Sequence, residues 1–201
     1  MKVIPVLVLG GLVLVGCSAD YAENGTATRV LLVTGVNGGN VLDADVRQSM
    51  DGITSNICPN SVPVRVENHP KNPNAPTAGL RDDIVIERYE VRYFRSDGRG
   101  VEGVDVPYRI SGNLAFEIIG GEGTNVNIEV VRRQAKLEPP ISQLVNGGGP
   151  FIVTIFAEIT LHARTTTGAA TNSATGRLQI DFADFANGSN DCPTTGGSSG
   201  T

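Results

Sequence analysis

The sequence predicts an all-β fold, built as an antiparallel β-sandwich of about seven to nine strands. Apolar and polar residues alternate along most segments between residues 29 and 186, and a period of two is typical of half-buried strands. Gly, Pro and Asn interrupt these segments at short intervals, as they do in turns. Helical periodicity is nearly absent; the one candidate helix lies within 131–137, before Pro139 and Pro140.

The first strands are predicted at 29–36 and around Val62, Val64 and Val66, followed by a long Pro- and Asn-rich loop at 67–83. The next strand places Val85, Tyr89, Val91 and Tyr93 on one face, and Glu87 interrupts that pattern. Further strands are predicted at 104–110, 114–118, 126–130, 151–163 and 178–182, with turns at 95–103 and 120–123 and a loop at 165–176.

The architecture is predicted from the end of the chain. The long closing hairpin, from Phe151 to Phe182, is typical of an immunoglobulin-like sandwich. The chain contains no Trp, so the Cys…Trp…Cys core of true immunoglobulin domains is absent and only the architecture is predicted. A lipocalin-like barrel is the alternative, but the strands are unevenly spaced and the Gly-x-Trp motif of that family cannot be present.

The N-terminal residues Leu14-Val15-Gly16-Cys17 close an apolar stretch that begins at Val3, behind Lys2. A short apolar run of this kind is typical of a secretory signal peptide, and it is shorter than the roughly 20 residues that span a bilayer. The four residues resemble the lipobox of bacterial lipoproteins. That resemblance implies cleavage between Gly16 and Cys17 and a diacylglycerol on Cys17. An uncleaved helix or a plain signal peptide is the alternative.

The resemblance also suggests a location and a division of the chain. Ser18 in place of Asp matches outer-membrane rather than inner-membrane sorting of such lipoproteins. The predicted segments are a signal peptide at 1–16, the lipidated cysteine and a flexible tether at 17–28, the sandwich at 29–186 and a flexible tail at 187–201. The body is similar to uncharacterised bacterial lipoproteins in the sequences VPYRISG, AKLEPPISQLVNGGGP and ATGRLQIDFADF, and this likeness implies no activity.

The other two cysteines, Cys58 and Cys192, are an even pair in an exported chain. An oxidising compartment favours a disulfide between them; two free thiols are the alternative. The formal net charge of −5 argues against a nucleic-acid partner, because binding a phosphate backbone requires clustered Lys and Arg.

Candidate sites for chemistry are few. The two histidines, His69 and His162, lie in a loop and on the polar face of a strand, and no nucleophile elbow or phosphate-binding loop is present. The chain is therefore predicted to be no enzyme and to use no cofactor. Calcium prefers several oxygen ligands gathered in loops, and Asp82 and Asp83, with Asp97 as a possible neighbour, are the weak candidates for such a site.

Three functions remain open. The first is a lipid-anchored, non-enzymatic interaction or structural module of the cell envelope, whose loops at 67–83, 95–103 and 165–176 meet an envelope protein partner. The second is an envelope protein that binds calcium, carbohydrate or lipid, for which Tyr108 is the Tyr that looks free to contact a sugar. The third is a hydrolase, which would require a carboxylate and His162 in one cleft.

Overall fold

The computed structural model describes residues 27–49, 56–72, 74, 83–145, 152–185 and 192. Eight strands and one short helix lie in this part of the chain. They are β1 (Arg29–Val36), β2 (Leu42–Asp45), β3 (Asn60–Pro70), β4 (Ile84–Phe94), β5 (Ile110–Ile118), β6 (Gly123–Val131), α1 (Arg133–Leu137), β7 (Val153–Thr165) and β8 (Ala174–Ala183). The all-β prediction is confirmed, and the single helix lies inside the predicted segment 131–137.

The strands form two sheets. The three-stranded sheet has the order β1-β3-β6, and the five-stranded sheet has the order β2-β8-β7-β4-β5. All paired neighbours are antiparallel except β2 and β8, which run parallel. The prediction of a purely antiparallel structure is wrong for that pair. After β1 the chain leaves the three-stranded sheet, and β2 joins the five-stranded sheet beside β8.

A tight turn makes this change of sheet. Asn37, Gly38 and Gly39 all have positive φ angles, between 51° and 83°, a conformation that glycine adopts at no steric cost. The Asn37 Nδ2 donates to the Asn40 carbonyl at 3.1 Å, and the Asn40 backbone N–H donates to the Asn37 carbonyl at 3.0 Å. These two hydrogen bonds stabilise the turn. Strand β2, which follows it, is only four residues long and half acidic, and it was not predicted.

One apolar cluster contains buried residues of both sheets. Val126, Ile128 and Val130 contribute from β6, as the alternation predicts. From the other sheet, the Tyr93 hydroxyl of β4 donates to the Val130 carbonyl at 2.8 Å, and burial raises the pKa of this Tyr. The buried face of β7 comprises Ile155, Ala157, Ile159 and Leu161.

The two sheets approach closely where β1 passes β8. A Cβ on Gly176 would lie 2.6 Å from Val36 Cγ2 and 2.8 Å from Val33 Cγ1, so this position of β8 has no room for a larger residue. Nearby, the side chain of Asn172 accepts from the Leu31 N–H at 3.0 Å and donates to the Leu31 carbonyl at 2.9 Å. The amide of Asn172 therefore pairs with one residue of β1 as a neighbouring strand would.

The predicted face of β4 is half wrong. Ile84 and Ile86 are fully buried, and Val85 is only half-buried, whereas Val91 and Tyr93 are buried as predicted. The register of β4 shifts between Ile86 and Arg88 against both neighbours. The extra residue of a β-bulge exchanges the faces of a strand, which explains why Glu87 interrupts the alternation.

Two boundaries also differ from the prediction. Strand β3 extends to Pro70, so residues 67–70 of the predicted loop are strand. The predicted strand at 104–110 is absent: β5 begins at Ile110, and the preceding residues form turns with a single bridge between Glu102 and Val106. The Val104 and Asp105 N–H groups both donate to the Val101 carbonyl, and this turn prevents an extended conformation.

Candidate functional site

The candidate calcium ligands do not form one site. Asp82 lies outside the described residues. Asp83 and Asp97 lie at opposite ends of β4, whose 11 residues span roughly 35 Å at about 3.3 Å each; the predicted neighbourhood of Asp97 is therefore wrong. Asp83 Oδ1 accepts the Gly120 N–H at 2.8 Å, and Asp97 is paired with Arg99. Within the described ranges, no group of three or more His, Cys, Asp or Glu side chains is placed to hold a metal ion.

The structure joins Cys58 and Cys192 in a disulfide, with the Cα atoms 5.4 Å apart, which is the pairing that the sequence predicts. Cys58 is buried just before β3. The bridge therefore fixes one point of the chain beyond β8 to the start of β3, 134 residues away in the sequence. The predicted lipidation site at Gly16 and Cys17 lies outside the described residues.

His162 lies in a polar cluster on the face of the five-stranded sheet. Its Nδ1 is 3.1 Å from the Ser173 Oγ, and its Nε2 is 3.5 Å from Glu90 Oε1. The same Glu90 oxygen is 3.1 Å from Arg88. The structure thus brings a carboxylate and a serine to His162, but Arg88 shares the carboxylate. His162 lines neither the groove at Arg65 nor the groove at Arg92. His69, the other histidine, donates from Nε2 to Glu67 Oε2 at 2.8 Å.

The distal loop, residues 95–109, combines the predicted partner-facing loop at 95–103 with most of the segment that was predicted as a strand at 104–110. Two of its side chains, Val101 and Val104, are 59% and 67% exposed, and Tyr108 is 55% exposed. Apolar side chains that one loop leaves exposed are candidates for contact with a partner. The signal in the sequence is two isolated valines among Gly and charged residues, and such isolated residues give no periodicity.

The distal loop is held in shape by its own polar contacts. Asp105 Oδ2 accepts the Val101 N–H at 3.3 Å, and Gly103 N–H donates to the Val106 carbonyl at 2.8 Å. Arg109 Nε lies 2.7 Å from Glu102 Oε1. These contacts fix the backbone while the apolar side chains of the loop face water. The loop is therefore a preformed surface.

The distal loop lies at the end of the domain opposite to the start of β1. Strand β1 begins at Arg29, which pairs with Pro70 at the end of β3, and Lys71 N–H donates to the Thr28 carbonyl. At this end, which we call the entry end, the turn before β6 contributes Ile119, which is 44% exposed. Strand β4 then runs the length of the domain to the distal loop.

A second surface is a groove of about 540 Å³ on the three-stranded sheet. Thr34, Arg65 and Asn125 line it together with Gly38 and Gly39 of the tight turn. The Arg65 guanidinium is half exposed and lies 3.6 Å from Glu67, beyond hydrogen-bond distance. The groove therefore offers hydrogen-bond donors that are open to a ligand.

One buried charge lies below the distal end. Lys136 of α1 is 2% exposed, and its Nζ donates to the Asp45 carbonyl at 2.6 Å. Burial lowers the pKa of Lys136 to about 8, and attraction to Asp45 opposes that shift. This lysine joins α1 to β2.

No protein-family model matches the chain, and no curated protein or solved structure is significantly similar to it. None of the helices in the described segments is long and apolar enough to cross a membrane.

Proposed function

We propose that this chain is a lipid-anchored, non-enzymatic binding module of the bacterial cell envelope, at the outer membrane rather than the inner membrane. The observation that carries the proposal is the distal loop: Val101 and Val104 are held exposed at the end of the domain that is opposite to Arg29, where the chain enters. With Cys17 anchored in a membrane, this arrangement of the two ends directs the distal loop away from the lipid and toward an envelope protein partner.

The proposed architecture is an immunoglobulin-like sandwich. The order β8-β7-β4-β5 corresponds to the G-F-C-C′ arrangement of variable-type domains, and β1-β3-β6 corresponds to their A-B-E strands. One core cluster shared by the two sheets supports this assignment. Domains of this architecture place their loops at the two ends of the sandwich, as the distal loop is placed here.

The lipid anchor is tested at Cys17. A Cys17→Ser variant is expected to lose palmitate labelling and to leave the membrane fraction, or to accumulate as the uncleaved precursor. Cys58→Ser, which removes a cysteine outside the lipobox, is the control and should keep the label. Wild-type fractionation and labelling of Cys17→Ser would refute the anchor.

The interaction is tested at the distal loop. Burying the exposed parts of Val101 and Val104 contributes about 2 kcal/mol, so the double variant Val101→Asp/Val104→Asp should reduce cross-linking to the partner by at least about 10-fold. Ile119→Asp changes an exposed apolar residue at the entry end and should leave the cross-linking unchanged. Cross-linking is performed in cells with the anchored full-length protein and read by mass spectrometry. If the double variant and the control give the same cross-links as the wild type, the proposed binding surface is wrong.

A second candidate function is ligand binding, and the groove at Arg65 is the observation that favours it. Guanidinium, amide and hydroxyl groups next to the side-chain-free wall of Gly38 and Gly39 suit the hydroxyl groups of a carbohydrate. A thermal-shift screen with oligosaccharides tests this candidate. A shift that Arg65→Gln abolishes would support it, and the absence of any shift would count against it.

A further inference from the structure

A groove of about 400 Å³ lies beside the distal loop, on the exposed face of the five-stranded sheet. Its floor is formed by β4, β7 and β8, and its wall is formed by the first turn of the distal loop. The residues that matter here are Arg92, Phe94, Gly98, Gly100, Glu158 and Arg177.

The groove has one more cation than anion among these residues. Arg92, Glu158 and Arg177 form a row across three adjacent strands. Glu158 Oε2 accepts from Arg177 Nε at 3.1 Å and from Arg177 Nη2 at 3.0 Å. Arg92 is exposed and forms no hydrogen bond or ion pair with any described residue. Its guanidinium therefore retains its donors for a ligand.

The groove is preformed. The Arg177 guanidinium lies 5.6 Å above the centroid of the Phe94 ring, and this ring is stacked on Phe156 at 5.7 Å. The wall is low because Gly98, with φ 84°, and Gly100 carry no side chain. Arg99 and Asp97, 2.8 Å apart, brace the turn that holds these glycines. These contacts fix Arg177 and the wall of the groove, whereas Arg92 is left to turn toward a ligand.

We propose that this groove is a subsite for the carboxylate of an Asp or Glu side chain on a peptide segment of the partner, with Arg92 as its main donor. Guanidinium groups bind carboxylates in a planar, bidentate geometry. The inference rests on the proposed function and names the chemistry of the partner. A protein is favoured over an acidic polysaccharide because Gly100 is followed directly by the exposed Val101, which would contact an apolar side chain next to the acid.

The first test uses the α-N-methylamide of N-acetyl-L-glutamate as the probe, so that its side chain carries the only carboxylate, with the α-N-methylamide of N-acetyl-L-glutamine as its uncharged match. Both are titrated at constant ionic strength into ¹⁵N-labelled full-length protein in detergent, and amide and arginine Nε–Hε resonances are followed. We expect a saturable shift at Gly98, Gly100 and Arg92 with the glutamate probe, at millimolar affinity, and none with glutamine. Equal shifts with both probes, or no saturable shift, would overturn the subsite.

Two matched arginine variants test whether Arg92 itself binds the glutamate probe. Arg92→Gln should weaken the glutamate probe by at least about 5-fold, because it removes the unpaired guanidinium. Arg88→Gln removes an arginine of the same strand that is already paired with Glu90, and it should leave the affinity unchanged. If Arg88→Gln weakens binding as much as Arg92→Gln, the probe responds only to the general charge of the sheet and the proposal fails.

The second test identifies the class of partner. Selection of random linear peptides displayed on phage should enrich Asp or Glu next to aliphatic residues on the wild type, and Arg92→Gln should lose that enrichment. Enrichment without acidic residues, or binding of uronate glycans in place of peptides, would overturn the inference. Failure here is distinguishable from failure of the proposed function, since the titration reports on the groove alone and the cross-linking reports on Val101 and Val104.

Discussion

Lys136 gives the sharpest stability prediction, because its ammonium group is buried with one hydrogen bond to the Asp45 carbonyl. Burial lowers the pKa of Lys136 from 10.5 to about 8, so the folded protein still carries this buried charge at neutral pH. The perturbation is Lys136→Met, which shortens the unbranched side chain by one atom and removes the charge. Lys71→Met is the control, since Lys71 lies at the entry end.

The sign follows from proton binding. Between pH 8 and 10.5 the unfolded chain holds the Lys136 proton more tightly than the folded protein, so the free energy of unfolding rises with pH in this window. A difference of about 2.5 in pKa corresponds to about 3 kcal/mol of destabilisation at low pH. About 2 kcal/mol of that is regained between about pH 7 and about pH 9.5. Lys136→Met has no such group, so its stability lacks this gain.

The assay is urea unfolding of the wild type and both variants at these two pH values, with the disulfide intact. Contributions of groups remote from the substituted residue cancel in a comparison, so the quantity of interest is the wild-type free energy of unfolding minus that of the variant. For Lys136→Met this difference should rise by about 2 kcal/mol with pH, and an equal rise for Lys71→Met would show that the effect does not depend on the burial of Lys136. A constant difference for Lys136→Met would refute the burial argument.

Three further changes test the fold. Replacing Cys58 and Cys192 with Ser should destabilise the domain by up to about 5 kcal/mol in the chain-entropy model, measured by denaturant unfolding, and mass spectrometry should find both wild-type cysteines protected from alkylation until reduction. Asn172→Ala should cost about 1–3 kcal/mol, because two groups of β1 lose their partner, and Asn172→Asp should restore one of them. Gly176→Ala should cost about 1–3 kcal/mol by overpacking, whereas Gly168→Ala, where nothing lies within 4 Å, tests backbone strain alone. Stability of the Gly176 variant equal to the wild type would contradict the close approach of the sheets.

The sequence was sufficient where one physical pattern dominates. The alternation in β6 and β7 predicts the buried face of each strand, because every second side chain of a strand faces the core. Cys58 and Cys192 could be paired by counting, since lipidation would use the third cysteine. The short helix at 133–137 was located because Pro139 and Pro140 close it.

The sequence was insufficient where a local feature depends on the rest of the fold. A bulge after Ile86 exchanges the faces of β4, and no residue type identifies it in advance. The four residues of β2 carry two acids and form a strand only because β8 offers them an edge. The separation of Asp83 from Asp97 follows from the length of the strand between them, and the prediction of a shared site did not take that length into account.

The loop at 95–103 was predicted to meet a partner, but the residues that would make the contact were not identified, for a related reason. Val101 and Val104 are apolar in a segment whose composition indicates a turn, and only their exposure distinguishes an interaction loop from a short buried strand. The strand register aligns both Arg92 and Arg177 with Glu158, and Glu158 accepts from Arg177, a pairing across three strands that the sequence of any one strand does not predict. The Arg92 guanidinium and the exposed Val101 and Val104 thus lie at the same end of the domain. A partner that contacts both must present an acidic side chain next to an apolar one.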